Sequence, residues 1–151
     1  MEKTIKTRQA RIDDLGLISE LSILMCSGDY CGEHDENELR ESLLNPERAL
    51  FLAFDGEKAV GFSHVYIRYE WIFTENEKGP FGYLDTIFVH PDYRMFGIAK
   101  KLVKMCEDWS RGRLCVEFAS NCDLDNEGSL NFHLGFGFKE LHRIIHFSKE
   151  L

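Results

Sequence analysis

Residues 83–102 read YLDTIFVHPDYRMFGIAKKL, a strand, a turn and the start of a helix in one stretch. Tyr83, Asp85, Ile87 and Val89 alternate with Leu84, Thr86 and Phe88, which is the period of two expected of a strand. Pro91 lacks the N–H that a ladder needs and ends it. From Ile98 the apolar residues change to helical spacing through Leu102, Met105, Cys106 and Trp109, and Gly112 closes that helix. The turn between them, Arg94-Met95-Phe96-Gly97-Ile98-Ala99, has the form R-x-x-G-x-A. A helix N-terminus presents free N–H groups and the positive end of the helix dipole. Gly97 and Ala99 are small enough for a diphosphate to reach that backbone, and Arg94 adds a cation. The turn therefore reads as an anion cradle. It is neither a G-x-G-x-x-G fingerprint nor a Walker loop, since both motifs are missing from the chain.

Upstream, Thr4–Gln9 reads as a first strand and Leu17, Ile18, Leu21, Leu24 and Met25 as one face of a helix capped by Asp13. Residues 27–37 read as an acidic loop, and Glu38–Leu44 as a short helix stopped by Asn45-Pro46. Ala49–Phe54 and Ala59–Tyr69 are strands joined by a turn at Asp55-Gly56. Downstream, Leu114–Ala119 reads as a strand, Glu127–Phe136 as a helix, and Phe138–Glu140 with Arg143–Lys149 as a closing strand pair. The order βααβββαβαβ(β) predicts one α/β (α+β) domain over residues 1–151, a mixed sheet with helices packed on it.

The net charge of −8 disfavours nucleic-acid phosphate as a partner and suits a cationic one. No apolar run approaches the roughly 18 residues a membrane span needs. Five cysteines, an odd number, with no apolar leader at Met1–Arg8, argue against a disulfide framework and for the cytoplasm. Cysteine and histidine spacings do not match a metal site.

The run I-F-V-x-P-x-Y-R-x-x-G-x-A-x-x-L, residues 87–102, resembles the acetyl-CoA motif of the GNAT superfamily of N-acetyltransferases. A second run, Asn126-x-x-Ser129-x-x-Phe132-His133-x-x-x-Gly137-Phe138-x-Glu140, resembles that superfamily's second signature. The resemblance implies a mostly antiparallel central sheet of six to seven strands flanked by about four helices. It implies acetyl-CoA as co-substrate, no metal, and a homodimer. Ile87, Phe88 and Val89 would pair with the pantetheine arm along a strand splayed from its neighbour. The amides of Arg94, Met95, Phe96, Gly97, Ile98 and Ala99 would hold the pyrophosphate, and Asn126 and Ser129 would complete the cofactor site. His133 falls where many relatives carry a tyrosine that protonates the leaving thiolate.

Within the superfamily, Asn45-Pro46-Glu47-Arg48, Ile67-Arg68-Tyr69-Glu70-Trp71 and Glu117-Phe118-Ala119-Ser120-Asn121 resemble the bacterial aminoglycoside 6'-N-acetyltransferases, which are antibiotic-resistance enzymes. Their substrates are polycations, so carboxylates and aromatic faces are the expected lining. The candidates are Asp35, Glu36, Glu70, Trp71, Tyr83, Asp85, Asn121 and Asp123. Two positions depart from the subfamily: Asp85 stands where it usually has Glu, and Asn121 where it usually has Asp.

An ammonium must lose a proton before it attacks a thioester. Asp85 is the expected acceptor, on the strand face of Ile87 and Val89, and His133 the expected acid. A backbone N–H near Val89 would stabilise the oxyanion. The alternatives are a GNAT enzyme for another small amine or a protein N-terminus, and a CoA- or drug-binding protein without turnover.

Overall fold

A computed structural model of the chain describes residues 3–27, 35–70 and 79–151. The elements are β1 (Ile5–Gln9), α1 (Leu15–Cys26), α2 (Glu36–Leu44), β2 (Arg48–Asp55), β3 (Lys58–Arg68), β4 (Phe81–Val89), α3 (Ile98–Gly112), β5 (Phe118–Ala119) and α4 (Glu127–Gly135). The sheet order is β1-β2-β3-β4-β5. The first four strands are antiparallel to their neighbours and β5 runs parallel to β4.

The mixed, mostly antiparallel sheet and the four helices match the expectation. The strand number does not: the described residues form five strands, not six to seven. The predicted strand Leu114–Ala119 shrinks to Phe118–Ala119 because its first residues finish α3 instead. Leu114 takes φ 61° and the Cys115 amide donates to the Ser110 carbonyl. The predicted closing pair, 138–140 and 143–149, has no ladder partner among the described residues, and every residue from Lys139 onward is exposed.

β2 shows why the sheet is buried on both sides. Ala49, Phe51 and Ala53 enter the cluster beneath α3, and Leu50, Leu52 and Phe54 enter the cluster beneath α1 and α2. Alternating faces of a strand that are both apolar require a layer on each. Helix α3 lies so close to β4 that a Cβ on Gly82 would sit 2.1 Å from the Ser110 Oγ.

Two helix starts differ from the sequence reading. The helix after β1 is not capped by Asp13; a 3-10 turn, Ile12–Asp14, precedes Leu15. The buried Asp14 carboxylate is bound there by Arg8 and by the Arg11 amide. Helix α2 starts at Glu36, earlier than expected, because the Asp35 side chain accepts from the Asn37 amide at 3.1 Å. Cys26 is disulfide-bonded, so the cysteines are not all reduced, whereas Cys106, Cys115 and Cys122 are free. Among the described residues no helix is long and apolar enough to cross a membrane.

Candidate functional site

β4 is not a regular strand. His64 on β3 pairs with Thr86, but the next residue, Val65, pairs with Leu84. Asp85 is therefore an extra residue, a β-bulge, and bulges re-aim side chains. The bulge overturns the strand-face reading. Leu84, Ile87 and Val89 all pack into the α3-side cluster. Asp85 instead joins His64, Tyr66 and Thr86. Its Oδ1 accepts from the Tyr66 hydroxyl at 3.1 Å and its Oδ2 from the Thr86 hydroxyl at 2.8 Å. The His64 Nδ1 lies 3.5 Å from Oδ2. Burial pushes the carboxyl upward, but hydrogen bonds from His64, Thr86 and Tyr66 together with the His64 charge outweigh it and hold Asp85 down to about 2.

The other edge of β4 is open. Its ladder to β5 has two pairs, Gly82↔Phe118 and Tyr83↔Ala119. Beyond them the Ser120 hydroxyl donates to the Leu84 carbonyl at 2.9 Å. From Asp85 to Val89 β4 has no ladder partner on that side among the described residues. This is the splay expected of a strand that pairs with an extended ligand.

At the end of the open edge, Met95 and Gly97 both take left-handed φ, 66° and 74°, and Gly97 leads into α3. The first turn of α3 leaves N–H groups without intrahelical acceptors. A Cβ built on Gly97 meets nothing within 4 Å, so space lies open above the backbone. Arg94 Nε donates to the Val89 carbonyl at 3.2 Å, which fixes the loop to the strand. Met95 and Phe96 are exposed.

Helix α4 reaches this edge. The Asn126 Oδ1 caps it by accepting from the Ser129 amide at 3.0 Å. His133 Nδ1 lies 2.6 Å from the Ser129 carbonyl and Nε2 lies 2.8 Å from the Ser120 Oγ. A carbonyl only accepts, so Nδ1 carries a proton. Ser120, absent from the expected site, thus stands between His133 and the start of the splay.

Asp85 also lines a cavity of about 570 Å³, whose lining includes His64, Tyr66, Tyr69, four carboxylates (Glu38, Glu47, Glu70 and Asp85) and two guanidinium groups (Arg48 and Arg68). Of the predicted substrate residues that are described, Glu70 and Asp85 line it and the others do not. Glu70 is not a free charge: Arg68 binds both its oxygens at 3.2 and 3.3 Å, and that hydrogen bonding lowers it to about 2. Tyr83 is buried, with its hydroxyl held by Arg68 and Asn121. Asp35 caps α2 and Glu36 pairs with Arg40 at 3.3 Å, so both serve the helix. Asp123 is exposed and outside the lining. Trp71 lies outside the described residues.

Residues 19–138 match the model of the acetyltransferase (GNAT) family. The chain belongs to the GNAT family. An aminoglycoside N(6')-acetyltransferase type 1 from Acinetobacter genomosp. 13 is 38% identical over 123 residues, 79% of this chain and 84% of that protein. One of the same description from Klebsiella aerogenes is 39% identical over 127 residues, 80% of each. The crystal structure of aminoglycoside 6'-N-acetyltransferase AAC(6')-Ih from Acinetobacter baumannii superposes with a TM-score of 0.86 at 30% identity, covering 98% of this chain and 99% of that one. AAC(6')-Iy, solved with a bisubstrate analogue of CoA and acetylneamine, also reaches 0.86, at 28% identity, covering 98% and 99%.

The open edge and the turn together have the features that an acetyl-CoA site needs. The residues present fit it: a strand edge without a partner, small Gly97 over open space, and a helix N-terminus for the diphosphate. Among the described residues there is no cluster suited to a metal ion. Sequence reasoning missed His64, Tyr66, Glu38, Glu47 and Ser120. His64 and Tyr66 alternate on β3 two residues apart, and only the pairing of β3 with β4 brings them to Asp85.

Proposed function

We propose that this protein is an acetyl-CoA-dependent N-acetyltransferase that acetylates the 6'-amine of aminoglycoside antibiotics and thereby confers resistance. One observation carries the reading: the bulged Asp85 stands between an open strand edge that leads to a phosphate cradle and a cavity richer in carboxylates than in cations. The first suits an acyl-CoA, the second an amine-rich polycation. The relatives at 38% and 39% identity bear the name of that activity.

In this reading the cavity carboxylates bind the ammonium groups and Asp85 takes a proton from the reacting one, directly or through a water. The freed amine attacks the thioester carbonyl carbon. A backbone N–H near Val89 donates to the oxyanion. The C–S bond breaks and the electron pair leaves with sulfur; His133 as imidazolium keeps its Nδ1 proton on the Ser129 carbonyl and gives its Nε2 proton to the Ser120 oxygen, while the Ser120 hydroxyl proton goes to sulfur. Holding both substrates against one bulge supplies part of the rate by positioning.

The test is thiol release from acetyl-CoA with kanamycin-like and gentamicin-like amines, and mass spectrometry of the product. Turnover with a single acetyl on the 6'-amine is expected. Drug binding without thiol release, or turnover only with other amines, would overturn the proposal.

The enzyme is further proposed to work in the cytoplasm, where acetyl-CoA is available, as a homodimer. Supporting the dimer, residues 139–151 are exposed throughout, with Ile145 at 78% and Phe147 at 90%. With Leu141 and Ile144 also exposed, the segment gathers several apolar side chains, and such a group suits cover by a second copy. Sedimentation velocity, in which a monomer at micromolar concentration would be the contrary result, decides it.

A further inference from the structure

Along β3, Phe62, His64, Tyr66 and Arg68 share one face, because successive side chains of a strand alternate. Phe62 belongs to the core cluster beneath α1 and α2, and the three that follow line the acidic cavity. An apolar row thus turns polar and ends on a cation. A guanidinium is an unexpected lining group for a site that receives a polycation.

The aromatic faces of this region are already in use. The Arg48 guanidinium lies 5.6 Å and the Arg68 guanidinium 5.9 Å from the centroid of the Tyr66 ring. Arg68 also lies 4.8 Å from the centroid of the Tyr83 ring. Both distances for Arg68 are within reach of a cation–π contact, so the rings that would attract an ammonium group hold the protein's own cations instead. Arg48 is fixed by its bond to the Ser42 Oγ at 3.1 Å. Arg68 is fixed by two bonds to Glu70 and by the Tyr83 hydroxyl. The Tyr66 hydroxyl donates to Asp85 at 3.1 Å, so a single tyrosine separates Arg68 from the carboxylate at the reaction centre.

Glu70 does not cancel this cation completely. Its side chain is 56% exposed and that of Arg68 is 25% exposed. Water therefore screens the carboxylate more than the guanidinium. A fixed cation repels an ammonium group that lies within about 10 Å at 0.1 M salt.

We propose that Arg68 sets which aminoglycosides the site accepts, by penalising an additional ammonium group beside the reacting amine. Asp85, Glu38 and Glu47 draw the acceptor in, and Arg68 limits how much positive charge it brings near the 6'-amine. Arg68 is a specificity-determining residue and takes no proton in the reaction.

The inference rests on the aminoglycoside reading, and the experiment separates the two. It uses the full chain and two kanamycin-like acceptors that differ at one position of the ring bearing the 6'-amine, where one carries an amine and the other a hydroxyl. The readout is the ratio of kcat/KM for the amine-bearing acceptor to that for the hydroxyl-bearing one. Arg68→Gln removes the cation, and the ratio is expected to rise about fivefold. Arg68→Lys keeps the charge without the two-pronged grip on Glu70, and the ratio is expected to stay near that of wild type. A residue that merely shapes the cavity would shift both variants alike. Calorimetric CoA affinity and Tm report that each variant is folded. A folded Arg68→Gln with the wild-type ratio, or an Arg68→Lys that shifts it as far as Arg68→Gln does, would overturn the inference while leaving the aminoglycoside reading in place. A wild-type enzyme that turns over neither acceptor removes both. Should Arg68→Gln not fold, the exposed Glu70→Gln decides: it leaves the guanidinium uncompensated, so the ratio should fall, and a ratio that holds or rises refutes the role.

Discussion

The Ser120 hydroxyl donates to the Leu84 carbonyl at 2.9 Å, so a side chain takes over where the backbone ladder between β4 and β5 stops. The same oxygen meets His133 Nε2 at 2.8 Å. Ser120 thus holds the mouth of the splay and links it to α4. Ser120→Ala is expected to lower stability by about 1 kcal/mol, the worth of a typical hydrogen bond, read as a fall in Tm. It should also lower kcat about as much as His133→Ala does. A His133→Ala enzyme with unchanged kcat would remove the imidazole from the proposed protonation of the thiolate.

Asp85→Asn is expected to reduce kcat/KM for an aminoglycoside at least about tenfold at pH 7, with CoA affinity unchanged. The pH dependence has a definite sign. Burial opposes the charge on Asp85, but the groups around it hold the carboxyl down to about 2. It remains ionised across any practical assay range. An acid-side break in kcat/KM above about pH 4 therefore has another source. Steady-state profiles of wild type and variant check both statements.

Glu70 and Arg68 neutralise one another on the rim of the cavity. Glu70→Gln removes a carboxylate and releases the guanidinium toward the substrate. KM for a polycationic aminoglycoside should rise severalfold while kcat changes little. The penalty should shrink as salt is added, because exposed charges are screened within about 10 Å at 0.1 M. A KM equal to wild type at low salt would mean that Glu70 is not part of the acceptor site.

The turn that suits a phosphate was legible in the sequence, and the surroundings of Asp85 were not. A cradle is a local object: Arg94, Gly97 and Ala99 stand within one turn, and helix geometry turns their spacing directly into donors and space. The alternation of residues 83–89 correctly located β4, but period-two reading assumes an unbroken ladder. The bulge at Asp85 breaks it and moves the carboxylate from the α3 face to His64 and Tyr66. That event depends on register between two strands, which no single stretch of sequence contains. For the same reason the acidic loop residues Asp35 and Glu36 looked like ligands. Each has a local use, as a helix cap and an i,i+4 pair, that competes for the carboxylate.

Asp14 provides a stability test away from the chemistry. Both its oxygens accept from Arg8, at 2.7 and 2.8 Å, and one also accepts from the Arg11 amide at 2.8 Å. The Arg8 hydrogen bonds hold its pKa below the ordinary 3.8. A depressed aspartate stabilises the fold fully above its unfolded pKa, and that stabilisation is lost as pH falls through the folded value. Asp14→Asn should cost about 1–3 kcal/mol at pH 7. The gap between variant and wild type should narrow as urea melts are taken toward pH 2. A pH-independent gap would assign the effect to packing.

Gly97 tests the cradle itself. Its φ of 74° lies in the left-handed region, where a side chain costs roughly 1–2 kcal/mol. No neighbour lies within 4 Å of where its Cβ would stand, so the cost in the free protein is conformational alone. In the proposed complex that same volume would admit the diphosphate to the helix N-terminus. Gly97→Ala should therefore lower Tm modestly and raise KM for acetyl-CoA about tenfold, with kcat at saturating cofactor nearly kept. Met95 is the control, since it already holds φ 66° with a fully exposed side chain. Met95→Gly relieves strain without adding bulk, so it should stabilise the protein and leave KM for acetyl-CoA in place. A Gly97→Ala enzyme that loses stability but binds acetyl-CoA as wild type does would show that the diphosphate rests elsewhere.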